Sequence, residues 1–107
     1  MTTKIVYVLT SSSKDTYLER TLISAFSARL HNPDATLLVV TDQVTMDNLK
    51  GKRVEIKKYV TDFIVVDIPA EYNNMQKSRY IKTNLRKFVK GNFLYIDCDT
   101  VIVDSLA

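Results

Sequence analysis

The sequence predicts an α/β domain built on a parallel sheet with helices packed against it. Three observations carry that expectation. Short β-branched or aromatic runs alternate with helix-period segments, the order that produces right-handed crossovers between parallel strands. The first run is almost continuously apolar, as a strand covered on both faces requires. Turn-forming residues (Ser11-Ser12-Ser13, Asn32-Pro33-Asp34, Pro69 and Gly91) separate the segments.

The first strand spans Lys4 to Thr10 and breaks into the three serines. From Lys14 to Leu30, Leu18, Leu22, Ala25, Phe26 and Leu30 recur every three to four positions, which predicts an amphipathic helix capped by Ser12 or Ser13. His31, just before Asn32-Pro33, reads as a helix-terminal residue. A second strand, Thr36 to Thr41, ends at Asp42. Thr45 to Leu49 predicts a short helix stopped by Gly51, Val54 to Val60 fits helix or strand, and Phe63 to Ile68 is a third strand closed by Pro69. Asn74 to Lys90 predicts one long helix ended by Gly91. Phe93 to Ile96 is the fourth strand, and Val101 to Val103 is compatible with the start of another.

At 107 residues, 46% apolar and 25% charged, the chain fits one globular unit of modest size. No run approaches the roughly 18 to 20 apolar residues of a membrane span, and Met1-Thr2-Thr3-Lys4 begins no signal-peptide pattern, so a cytoplasmic location is the expectation. Cys98 is the only cysteine, which excludes an intrachain disulfide and a cysteine-rich zinc site. The net charge of +3 is too small to imply a nucleic-acid partner. Its distribution is more informative. Between Asn73 and Asn92 lie Lys77, Arg79, Lys82, Arg86, Lys87 and Lys90 and no acidic residue. At about 100° per residue, Arg79, Lys82, Arg86 and Lys90 share one helix face while Ile81, Leu85, Phe88 and Val89 share the other. For the later cations a solvated surface that complements the helix dipole is sufficient explanation. Arg79 and Lys82 lie nearer the helix start, on the side where the strands' carboxyl ends emerge.

At that side stands the run Leu94-Tyr95-Ile96-Asp97-Cys98-Asp99-Thr100. Carboxylates are costly to bury, and an apolar strand ending in Asp-x-Asp places two of them at the edge where α/β proteins bind ligands. Two hard oxygen donors suit Mg²⁺ or Mn²⁺, which could bridge to a phosphate. The plain alternative is one turn-capping Asp and one solvated Asp. Cys98 faces the other way along an extended strand and reads as a small packing residue.

Together these residues resemble the N-terminal half of a family 8 glycosyltransferase, the family of glycogenin-like enzymes and bacterial lipopolysaccharide galactosyltransferases. The resemblance rests on Thr10-Ser11 with Tyr17 beyond, Val66-Asp67-Ile68-Pro69, Ser78-Arg79-Tyr80-Ile81-Lys82-Thr83, and Gly91-Asn92-Phe93-Leu94-Tyr95-Ile96-Asp97-Cys98-Asp99-Thr100, and covers essentially the whole chain. It implies a Rossmann-like, GT-A nucleotide-binding half with strand order 3-2-1-4. It further implies a nucleotide-sugar donor such as a UDP-hexose, Mn²⁺ (or Mg²⁺) on Asp97 and Asp99, and transfer with retention of anomeric configuration to a saccharide or lipopolysaccharide-type acceptor. By motif position Thr10, Ser11 and Tyr17 meet the nucleotide, and Arg79 and Lys82 the diphosphate or sugar.

The chain departs from that family by ending at Ala107, soon after Asp99. The family's later histidine ligand and acceptor site have no counterpart, and His31 cannot supply them by position. The expectation is a truncated domain, inactive alone, whose Asp97 strand lies at an open sheet edge and promotes a homodimer. Three other readings stay open: a non-catalytic half-domain that binds nucleotide or docks on a partner; a fragment of a haloacid-dehalogenase-type phosphatase, whose Asp-x-Asp-x-Thr/Val opening Asp97 to Val101 also matches; and nucleic-acid binding through the basic helix, against which stand the modest net charge and the lack of interleaved aromatics.

Overall fold

The computed structural model describes residues 4–10, 17–47, 49, 51–69 and 71–96, without the side chains of residues 17, 51–53 and 74. Strand β1 (Lys4–Leu9) is followed by helix α1 (Tyr17–His31), β2 (Thr36–Thr41), α2 (Gln43–Asp47), a 3-10 helix (Gly51–Lys58), β3 (Asp62–Val65), α3 (Asn74–Thr83), α4 (Leu85–Phe88) and β4 (Leu94–Tyr95). The four strands form one sheet in the order β3-β2-β1-β4, and each neighbouring pair is parallel. This α/β architecture and strand order are those expected from the sequence.

Strand alternation divides the core between the two faces of the sheet. Ile5, Tyr7 and Leu9 of β1 and Leu37 and Val39 of β2 join Leu18, Ala25 and Ala28 of α1 and Ile56 of the 3-10 helix. Val6, Val8 and Val40 face the other way, onto Ile81 of α3, Leu85 of α4 and Val89. The helices therefore cover both faces, which is why β1 and β2 read as continuous apolar runs. Leu37 is fully buried, so Leu37→Ala is expected to cost about 2–5 kcal/mol in urea unfolding. Buried polar groups are matched across the layers: the Tyr7 and Ser24 hydroxyls share a hydrogen bond of 2.8 Å. No helix among the described residues is long and apolar enough to cross a membrane.

Several boundaries differ from expectation, each for a local reason. Pairing of β3 with β2 ends at Thr41 and Val65, and the Val66 amide makes the closing bond to the Thr41 carbonyl at 2.8 Å. Beyond Thr41 the chain turns into α2 and offers no further ladder, so Asp67 and Ile68 are not strand. The short helix comes earlier than the apolar pattern suggests, at Gln43–Asp47, because Asp42 caps it. The ambiguous stretch before Val60 is 3-10 helix, with Val54 exposed and Ile56 buried. The single long helix expected over Asn74 to Lys90 is two. Asn84 Nδ2 donates to the Tyr80 carbonyl at 2.8 Å, while the Asn84 amide is divided between Tyr80 and Ile81. That local competition opens the helix at φ −108°, ψ 18°, and α4 begins anew. After α4, Gly91 turns the chain toward β4 at φ 81°, a left-handed conformation that disfavours side-chain-bearing residues.

Candidate carboxyl-edge site

Parallel strands bring their carboxyl ends to one edge of the sheet, and in such folds ligands sit there. Here that edge is formed by Thr10 after β1, Asp42 after β2 and Val66 after β3. Thr10 is buried, and beside it Thr41 Oγ1 donates to the Leu9 carbonyl at 2.6 Å.

Helix α3 approaches the same edge. Its start is fixed by a capping box: Asn73 Oδ1 accepts from the Gln76 amide and Gln76 Oε1 accepts from the Asn73 amide, both at 2.9 Å. One turn in, Lys77 Nζ donates to Asp42 Oδ2 at 2.8 Å, and the two side chains are only 12% and 6% exposed. The other Asp42 oxygen accepts from the Thr45 amide at 3.1 Å and from the Thr45 hydroxyl. The bridge thus ties β2, α2 and α3 together at the edge.

Burial alone would raise the Asp42 pKa, but the hydrogen bonds from Lys77 and Thr45, with the lysine's charge, hold it below the ordinary 3.8. A carboxyl depressed by folding contributes stability above its unfolded value and loses it as pH falls through the folded one. The stability difference between wild type and Asp42→Asn is therefore expected to be constant at neutral pH and to shrink below about pH 4. Urea titrations at pH 7 and pH 3 read it directly; a gap as large at pH 3 as at pH 7 would contradict the assignment.

The basic stripe lies on the other flank of the helix. Arg79, Lys82, Arg86 and Lys90 are exposed, while Ile81, Leu85 and Val89 are buried. Arg79 rests against the Met75 sulfur at 3.8 Å. Lys82 Nζ lies 5.9 Å from the ring centre of Tyr95, and the Arg86 guanidinium carbon 5.6 Å from that of Phe93. Lys82 therefore leans over β4, and Arg86 over the residue just before it. Such exposed cation–π contacts contribute only about 0.5–1 kcal/mol each, so these cations keep most of their capacity for an anion.

Among the residues singled out from the sequence, Thr10 is at the carboxyl edge, Lys82 is on the β4 flank of α3, and Arg79 is on that helix's exposed face against Met75. Tyr17 opens α1, but its side chain is not described; Ser11, Asp97, Cys98 and Asp99 lie outside the described residues. Among the described residues no cluster of three or more His, Cys, Asp or Glu could hold a metal ion. The Asp42–Lys77 bridge was not anticipated. An Asp directly after an apolar strand with Thr three residues on signals a helix cap, but no local spacing links it to a lysine 35 residues later.

Comparison of the chain with protein-family models and with curated proteins gave no significant match.

Proposed function

We propose that this chain is the nucleotide-sugar-binding half of a GT-A glycosyltransferase, a metal-dependent, retaining hexosyltransferase of the family 8 type that takes a UDP-hexose donor. The observation that carries the reading is the parallel order β3-β2-β1-β4 in which β4, paired to β1, leads within a few residues to Asp97 and Asp99. Lys82 of α3 leans over Tyr95 of that same strand.

The donor set fits the ion. Two carboxylates offer the hard oxygens that Mn²⁺ and Mg²⁺ prefer, with no thiolate or imidazole needed. When bound, the ion supplies charge neutralisation to the diphosphate leaving group, a contribution of several kcal/mol. The chain's own groups do the rest. Thr10, Ser11 and Tyr17 hold the nucleoside, and Arg79 and Lys82 give charge-assisted hydrogen bonds to diphosphate oxygens. Neither Asp97 nor Asp99 acts as a base in this scheme.

Calorimetric titration with UDP tests the reading. The expected result is binding in Mn²⁺ that EDTA abolishes. Absence of UDP binding in both conditions would overturn it.

A further inference from the structure

We infer that Lys77 and Asp42 are a positioning pair for the proposed donor site: their buried bridge restrains the rotation of α3 about its own axis and so sets where Lys82 stands beside β4 and where Arg79 stands on the helix's exposed face. The inference rests on the glycosyltransferase reading above and deepens it by naming what orients its diphosphate-binding side chains.

The geometry sets two flanks. At about 100° per residue, Arg79 lies about 200° and Lys82 about 140° from Lys77 around the helix. Lys77 reaches Asp42 beyond β2, whereas Lys82 and Arg86 lean over Tyr95 and Phe93 beside β4. In the sheet order, β2 and β4 stand on opposite sides of β1. Ile81, fully buried on Val6 and Val8, sits between the flanks and is the natural pivot. An apolar contact at a pivot resists separation of helix and sheet but resists rolling poorly, because dispersion has no directional preference. The charged hydrogen bond is directional and short. Asp42 cannot swing to follow a rolling helix, since Thr45 holds its other oxygen from both amide and hydroxyl. The bridge therefore adds a directional restraint on rotation to the apolar packing of Ile81 and Tyr80 against the sheet. Its polar atoms face each other, so Lys77 acts through the placement of Arg79 and Lys82.

The test is a double-mutant cycle on the full chain, read as UDP affinity in saturating Mn²⁺ at a temperature where circular dichroism shows each variant folded. Lys77→Met is expected to weaken UDP binding about tenfold, as loss of groups that orient a ligand shell does, and Lys77→Arg to restore it to within about threefold. In an Arg79→Ala, Lys82→Ala background, Lys77→Met is expected to cause no further loss, because a positioning residue has nothing left to position. Leu37→Ala, destabilising but remote, is expected to bind like wild type. Should Lys77→Met fail to fold, Asp42→Asn, which keeps the side-chain shape, takes its place with the same expected loss. Wild-type affinity in the folded bridge variant, full additivity with the background, or an equal loss in Leu37→Ala would each overturn the inference while leaving the donor site standing. A wild-type chain that binds no UDP would overturn both.

Discussion

Asp99→Asn is expected to abolish Mn²⁺-dependent UDP binding, a loss of at least about 100-fold, without unfolding the protein. Groups that only orient a metal ligand typically cost 10- to 100-fold in affinity when removed, so replacing a direct ligand should reach or exceed the upper end of that range. Asparagine keeps an oxygen donor but gives up the charge that a hard divalent cation needs. The chain carries one other carboxylate in the motif, Asp97, and a single monodentate ligand among waters does not hold Mn²⁺ against dilution. The fold is expected to be indifferent, because asparagine matches aspartate in shape and the replacement changes only the charge. Calorimetry in Mn²⁺ with a parallel circular dichroism melt separates the two effects. Undiminished Mn²⁺-dependent binding would show that the carboxylates serve another purpose.

Lys77→Met is expected to destabilise the fold by about 3–5 kcal/mol, because it leaves the Asp42 carboxylate buried without its counter-charge. Against a typical total of about 5–15 kcal/mol that is a large share, comparable to the cost of emptying the core at Leu37. The double replacement Lys77→Met, Asp42→Leu should recover only part of the loss: removing both charges removes the burden of desolvating them, but the Thr45 amide and hydroxyl lose the acceptor that caps α2. Urea unfolding of the three proteins provides the comparison. A single-variant loss below about 1 kcal/mol would mean that the bridge behaves as a solvated surface pair.

What could be read from the sequence follows the range over which each structural cause acts. Strand β2 falls at Thr36–Thr41 as expected because cover on both faces makes nearly the whole run apolar. The two faces of α3 and α4 were legible for the same reason: Ile81, Leu85 and Val89 are buried and Arg79, Lys82 and Arg86 exposed, as the helical period requires. The break at Asn84 was not, because it turns on one side-chain amide winning a carbonyl, a choice that helix propensity barely registers. The early end of β3 depends on where its partner β2 turns away, which no property of Phe63 to Ile68 announces. The candidate site divides likewise. Asp97 and Asp99 stand out as charges in an apolar run, and Arg79 and Lys82 by their place on the helix. The Asp42–Lys77 bridge exists only once the sheet order brings β2 beneath α3.

The central claim is that a divalent cation and a nucleotide meet at the carboxyl edge of this sheet, beside β4. Line broadening of backbone amide signals by substoichiometric Mn²⁺, in the presence of UDP, tests it most directly because the paramagnetic effect falls steeply with distance from the ion. The strongest broadening is predicted at Ile96, next in sequence to Asp97, and at Thr10 and Asp42 on the same edge. The weakest is predicted at Lys4 and Ala35, at the opposite ends of β1 and β2. Broadening that is uniform, absent, or strongest at Lys4 and Ala35 would contradict the account.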